Sequence, residues 1–187
     1  MFNLIIFGPP GSGKGTQSVK VAEKYGLKHI STGDILRCEV KAESELGNKV
    51  KDIMTTGELV PDELLFQILI SVLENNKGVK GFVFDGFPRT LAQALELNKR
   101  LKAENSEVVK AISLEVEDEE VVDRLLKRAE IEGRKDDNKK TISNRLNVYK
   151  KQTSPLLNFY DERGRLCPVH GEGSIDEVFA DICKAVG

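Results

Sequence analysis

The chain is short of several things, and each shortage removes a class of protein. It has no tryptophan, two histidines and three cysteines in 187 residues. Cys38, Cys167 and Cys183 form no CxxC pair and are odd in number, so they supply neither a zinc site nor a disulfide framework. They read as free thiols in a reducing cytoplasm. No apolar run approaches the ~18 residues of a membrane span. The apolar stretch from Phe2 to Phe7 stops at Gly8-Pro9-Pro10 with no basic segment ahead of it, which speaks against a secretory leader. Net charge is scarce too: 28 Lys and Arg against 30 Asp and Glu give −2. With 40% hydrophobic residues, that balance excludes intrinsic disorder. Repeats of roughly 20–50 residues are missing, as are low-complexity segments. A chain of this length buries about 70% of its unfolded surface, enough for one core with small accessory lobes.

What charge there is lies unevenly. Residues 124–151 hold ten Lys and Arg against Glu130, Glu132, Asp136 and Asp137, a local +6 that leaves −8 for the rest. A charge run is usually a solvated helix face, and many of these lysines read so. Aromatic residues do not interleave with the basic ones, and the whole chain is acidic, so a nucleic-acid partner is not expected. A local anionic ligand is.

Hydrophobic periodicity predicts alternating strands and helices. Asn3-Leu4-Ile5-Ile6-Phe7 suits a strand buried on both faces. A helix follows over residues 13–25, with Val19, Val21 and Ala22 as its apolar residues, and stops before Gly26. A second strand is expected at 28–30. Ser31-Thr32-Gly33-Asp34 has the capping pattern of a short helix, and another covers 46–54, closed by Gly57. Asp62 is expected to cap a helix through Val72. Strands at 81–85 and 108–116 flank a helix over 90–101, whose apolar side is read as Leu91, Ala94, Leu95 and Leu101. Asp118 is expected to cap the next helix, residues 132–138 read as a polar turn, and a long helix over 139–160 bends or breaks at Pro155. A last strand at 166–169 and a helix opened by the capping box Ser174-Ile175-Asp176-Glu177 end the chain. This alternation with short connections is the pattern of an α/β domain: a doubly wound parallel sheet of about five strands with helices on both sides.

Gly8-Pro9-Pro10-Gly11-Ser12-Gly13-Lys14 fits G-x-x-x-x-G-K directly after a strand and before a helix. Such a loop turns backbone N–H groups inward, the helix start adds partial positive charge, and Lys14 brings an ammonium to phosphates. Gly15 follows where most P-loop proteins place the Ser or Thr that holds Mg²⁺, and the hydroxyl comes one place later at Thr16. Magnesium held through water is therefore favoured over direct protein ligation. Asp85-Gly86-Phe87-Pro88-Arg89 lies at the C-terminal end of another strand, where open α/β sheets place ligands. Gly86 permits close backbone approach, Arg89 offers a bidentate fork to phosphate, and Asp85 is suited to accept from a metal-bound water.

Five blocks carry a resemblance: GPPGSGKGT at 8–16, STGDILR at 31–37, DGFPR at 85–89, GRKDDN at 133–138 and EGSIDEVF at 172–179. In this order, spread over nearly the whole chain, they resemble the nucleoside monophosphate kinases, the short-lid adenylate kinases in particular. That resemblance implies a P-loop core of residues 1–30, 61–126 and 138–187, an acceptor lobe at 31–60 and a lid at 127–137. It implies that Gly11, Ser12, Gly13, Lys14, Gly15, Thr16, Arg128 and Gly173 bind ATP. It puts Thr32, Arg37, Glu58, Leu59, Val60, Gly86, Phe87, Pro88, Arg89, Gln93, Arg134 and Arg145 at the AMP, and makes Lys14, Arg89, Arg128, Arg134 and Arg145 catalytic. The implied reaction is ATP + AMP ⇌ 2 ADP with Mg²⁺, in a cytoplasmic monomer whose partners are those nucleotides, with neither nucleic acid nor membrane.

Phosphoryl transfer asks chiefly for alignment and charge neutralisation, and guanidinium groups answer the mutual repulsion of two polyanions. Gln93 lies one helical turn after Arg89, and its carboxamide can match the edge of adenine. Thr90 stands where pyrimidine nucleotide kinases tend to have Asn, so AMP is favoured over UMP or CMP. Asp136 and Asp137 suit either pairing with the lid arginines or capping the next helix. Arg124, outside the motifs, reads as a surface residue, and His29 and His170 as structural or solvent-facing. The competing readings are a UMP/CMP kinase and a catalytically silent nucleotide-binding protein. A switch GTPase is disfavoured because no N-K-x-D signal is present.

Overall fold

The apolar run near the start of the chain becomes the middle of the sheet. The computed structural model describes residues 1–134 and 136–187. Strands β1 (Phe2–Phe7), β2 (Lys28–Ser31), β3 (Phe82–Asp85), β4 (Glu107–Glu115) and β5 (Leu166–His170) form one parallel sheet in the order β2-β3-β1-β4-β5. A central strand has helices on both faces, which is why its sequence is apolar without alternation. Ile5 and Phe7 join Phe82, Phe84 and Ala111 in one layer of the core, while Leu4 and Ile6 join Val83, Ile112 and Leu114 in the other. All of them are buried, and each of the Leu, Ile, Val and Phe side chains contributes about 1.5–3 kcal/mol.

The connecting helices are α1 (Lys14–Tyr25), α2 (Thr32–Lys41), α3 (Glu45–Thr56), α4 (Asp62–Asn75), α5 (Leu91–Ala103), α6 (Asp118–Glu132), α7 (Lys139–Val148), α8 (Pro155–Asp161) and α9 (Ile175–Val186). The expected caps at Ser31 and Ser174 form: each hydroxyl accepts from the backbone N–H three residues on, at 3.3 Å, and Glu177 closes a full capping box. Asp62 and Asp118 do not cap. Pro61 and Glu117 hold those positions with no side-chain bond, and both aspartates sit in the first helical turn, where the helix dipole favours an anion. Their carboxylates turn to other partners, Asp62 to Gln93 and Asp118 to Lys150.

Two apolar faces also differ from expectation. Leu91 and Leu95 are half exposed, because α5 buries Gln93, Ala94, Leu97 and Leu101 instead. A polar residue at a core-facing position hides the true stripe from a hydropathy reading. Val19 likewise stands outward from α1, whose buried residues are Gln17, Ser18, Val21 and Ala22. The long helix over 139–160 does break at Pro155, which cannot donate to the helical ladder and starts α8. Before it lies a π-helical turn, Tyr149–Thr153, in which Ser154 N–H reaches Tyr149 O at 2.8 Å. Residues 127–132 form the last turns of α6. The turn expected over 132–138 includes Lys135, which lies outside the described residues.

Strand register sets where a ligand can sit. Ile6 and Ser31 both pair with Asp85, so β1, β2 and β3 end level with one another. The chain leaves β1 toward β2 and β3 on one side and later reaches β4 on the other. Loops therefore part at the C-terminal edge of β1, where such sheets open a crevice.

Candidate functional site

The loop from Gly8 to Lys14 curls over that edge. Gly13 closes it in a left-handed conformation, φ 90°, at the N-cap of α1, which a residue with a Cβ adopts only under strain. The first bond of the helical ladder is Gln17 N–H to Gly13 O at 3.0 Å, so the amides of Lys14, Gly15 and Thr16 precede it and point out of the helix start. Lys14 Nζ donates to the Gly8 and Pro9 carbonyls, both at 2.8 Å. Its ammonium thus closes a ring with its own loop, ready to be shared with an anion.

Arg89 is fixed at three atoms. Its Nε–H donates to Gly86 O at 2.8 Å, its backbone N–H to Gln93 Oε1 at 2.7 Å, and its carbonyl accepts from Thr153 Oγ1 at 3.1 Å. Gln93 Nε2 in turn donates to Asp62 Oδ1 at 2.6 Å. The amide expected to face the base is fully buried behind Arg89 with both ends engaged. Thr32 Oγ1 donates to the same Gly86 carbonyl at 2.9 Å and ties the start of α2 to this turn.

The basic segment resolves into pairs. Arg128 meets Asp137 through two bonds, 2.7 and 2.8 Å, and Arg145 donates to the same carboxylate at 3.0 Å and to Asp136. Asp137 is buried, and Asn138, not an aspartate, caps α7 by accepting from Thr141 N–H at 3.0 Å. The two alternatives for Asp136 and Asp137 therefore separate in favour of pairing. Arg37 pairs with Asp34, and Arg134 with Glu132 at 2.6 Å.

The site's electrostatics favour a polyanion. Burial lowers Lys14 from 10.5 to about 8; Asp85 opposes that shift, and Arg89, Arg128 and Arg145 add to it. Arg89 is lowered by burial and then by the nearby Arg145 and Arg37 charges. Burial works to raise Asp136, but the charge and hydrogen bond of Arg145 hold it below the usual carboxylate range. Like charges crowded in this way are relieved by phosphate.

These groups enclose a cleft of about 580 Å³. Of the sequence-predicted residues, Gly11, Gly13, Lys14, Gly15 and Thr16 line it from the loop, and Thr32, Arg37, Glu58, Leu59 and Val60 from the α2–α4 segment. Asp85, Gly86, Phe87, Pro88 and Arg89 line it from the end of β3, and Arg128, Arg134 and Arg145 from the basic segment. Ser12, Gln93 and Gly173 do not line it: Ser12 is buried beneath the loop, Gln93 stands behind Arg89, and Gly173 is exposed on the turn before α9. Arg124, read as surface, lines the cleft and donates to Gly171 O at 3.1 Å. Its spacing of four from Arg128 on one helix was the available signal. His29, Tyr149 and Thr153 line it too, with nothing in the sequence to mark them. His29 Nε2 lies 3.7 Å from Asp85 Oδ2 and has no hydrogen-bond partner among the described residues.

Among the described residues no three His, Cys, Asp or Glu side chains converge as a metal cage. The buried carboxylate of Asp85 faces Gly15, whose missing Cβ would stand 3.6 Å from Asp85 Oδ2. That donor set fits a hydrated, phosphate-bound Mg²⁺ rather than a dedicated protein site.

The adenylate kinase family matches residues 6–165. A protein of Bacteroides thetaiotaomicron named adenylate kinase is 50% identical over 186 residues, covering 100% of this chain and 98% of its own. The adenylate kinase of Phocaeicola vulgatus matches with the same identity and coverage. That of Xanthomonas axonopodis pv. citri is 45% identical over 184 residues, 98% of each chain.

Proposed function

The chain belongs to the adenylate kinase family and is an ATP:AMP phosphotransferase, and from that premise we propose how its residues carry out ATP + AMP ⇌ 2 ADP. The loop amides and Lys14 hold the donor's phosphates, with Arg128 beside them and Gly173 at the donor base, near the turn that Arg124 already contacts. Arg37 and Arg89 hold the acceptor's phosphate, while Thr32, Gly86, Phe87, Pro88 and the backbone of Glu58, Leu59 and Val60 enclose its nucleoside. Gln93, buried behind Arg89 with its amide on Asp62, supports the acceptor site by fixing the Arg89 backbone. Arg134 and Arg145 converge on the group in transfer. No general base is required, because the acceptor phosphate is already an anionic nucleophile, and alignment with charge neutralisation does the work. Asp85 would hold a phosphate-bound Mg²⁺ through water, and that ion would supply charge neutralisation. Residues 31–60 act as the acceptor lobe and 127–137 as the lid, and their closure keeps water from competing as acceptor. The protein works in the cytoplasm as a monomer.

The observation that supports this reading most is the convergence of Lys14 and six arginines from four separate stretches of chain on one cleft. An acceptor panel tests it: with MgATP, AMP must be turned over faster than UMP, CMP or GMP. Turnover of UMP or CMP above that of AMP would overturn the acceptor assignment.

A further inference from the structure

Helix α3 ends against α7, and the contact is polar. Thr141 Oγ1 donates to Thr55 O at 3.0 Å, and Asn144 Nδ2 to Thr56 O at 2.8 Å. These are the last two carbonyls of α3, which have no partner within their own helix. The bonds join residues 86 and 88 positions apart, across two elements that carry different parts of the site. Gly57 follows at φ 81°, and a Cβ there would come within 2.9 Å of Arg145 Cγ and 3.0 Å of Thr141 Cγ2. The end of α3 is therefore pressed against the stem of Arg145, and Glu58, Leu59 and Val60 enter the cleft directly after it. On its other side Thr141 takes the Asn138 cap through its backbone N–H, one residue beyond the Asp137 carboxylate that holds Arg128 and Arg145.

Taking the proposed acceptor role of residues 58–60 as given, we propose that Thr141 and Asn144 are positioning residues for the reaction. They latch the acceptor segment to the helix that carries Arg145, so that seating the acceptor and placing that guanidinium depend on one contact. Two features separate a latch from ordinary packing. The bonds end on helix-terminal carbonyls, which water can satisfy when the segment swings away, so the contact can be made and broken in each cycle. Gly57, whose missing Cβ would stand 2.9 Å from Arg145 Cγ and 3.0 Å from Thr141 Cγ2, lets the two elements close on backbone carbonyls rather than on interlocked side chains.

The test is steady-state kinetics on the full chain with AMP and ATP varied separately, alongside thermal unfolding. Thr141→Val and Asn144→Ala should each raise the KM for AMP by about three- to tenfold. The KM for ATP should stay within about twofold, and Thr141→Ser should restore the wild-type KM for AMP because it keeps the hydroxyl. Asn144 is only partly buried, so its variant keeps the test open if Thr141→Val fails to fold. An unchanged KM for AMP, or equal rises for both nucleotides, overturns the latch while leaving the reaction intact. Wild-type protein that failed to phosphorylate AMP would overturn the functional reading, and the latch with it.

Discussion

Arg128 and Arg145 differ from Arg37 and Arg134 in what holds them. The first two share Asp137, whose side chain is fully buried, so the two guanidinium groups cannot both leave without stranding a charge in the interior. Arg37 and Arg134 lean on Asp34 and Glu132, whose side chains are 58% and 47% exposed. Pairs of that kind are worth about 0–1 kcal/mol and exchange readily. Similar arginines thus serve as a preset frame in one place and as movable contacts in another. The difference lies in the burial of the carboxylate, which the charge run alone does not reveal. A preset frame costs no reorganisation when charge develops during transfer, whereas a movable contact can give up its carboxylate for a phosphate on binding.

Breaking the buried pairing should do the most damage. Arg128→Ala should lower kcat by about 10³, measured under saturating AMP and MgATP, and a loss below about tenfold would remove Arg128 from the frame. Arg134→Ala should show a kcat loss of the same order for a different reason, the proposed role of its guanidinium at the group in transfer, which its exposed pair with Glu132 does not set. Asp137→Ala should cost about 3–5 kcal/mol in denaturant unfolding, because two guanidinium groups lose their shared partner. The exposed pairing should respond differently. Arg37→Ala should raise the KM for AMP more than it lowers kcat. Asp34→Ala should change stability by less than about 1 kcal/mol and leave kcat near its starting value. If Asp34→Ala cost as much as Asp137→Ala, the distinction between the two pairs would collapse.

Lys14 offers a check through pH. Its folded value of about 8 lies below the ordinary 10.5, so between those values the unfolded chain holds more protons than the folded one. The Lys14 contribution should make the free protein more stable as pH rises through that window. A bound triphosphate reverses the effect by stabilising the ammonium. Binding of MgATP, whose metal-bound terminal phosphate is already deprotonated, should then take up more proton near pH 8.5 than near pH 6.5, as read by calorimetry in buffers of differing ionisation enthalpy. Uptake equal at both pH values would place the phosphates away from Lys14.

Much of the fold and most of the site were legible in the sequence, because strand, glycine loop and lysine come in a fixed order and each step has a local cause. The stretch at 28–30 becomes a strand through its pairing with β3, where Ile30 meets Phe84. What escaped was decided by tertiary partners. Gln93 reads as facing the acceptor base, yet it is buried with Arg89 and Asp62 as its partners. The π-helical turn that brings Thr153 to Arg89 leaves no signature beyond the proline that follows it. Asp62 and Asp118 look like caps because position alone suggests it, while the distant Gln93 and Lys150 claim their carboxylates. Arg124 was set aside for want of a motif, although a spacing of one helical turn from Arg128 was there to be used.

Two adenosines joined through five phosphates reproduce both substrates and the bond between them, and titrating this compound into the protein by calorimetry addresses the shared cleft directly. The expected result is one compound per chain, bound far more tightly than ATP or AMP alone and weakened by Arg128→Ala. Binding no tighter than ATP, or two compounds taken up per chain, would contradict a single cleft that holds both phosphate tails end to end.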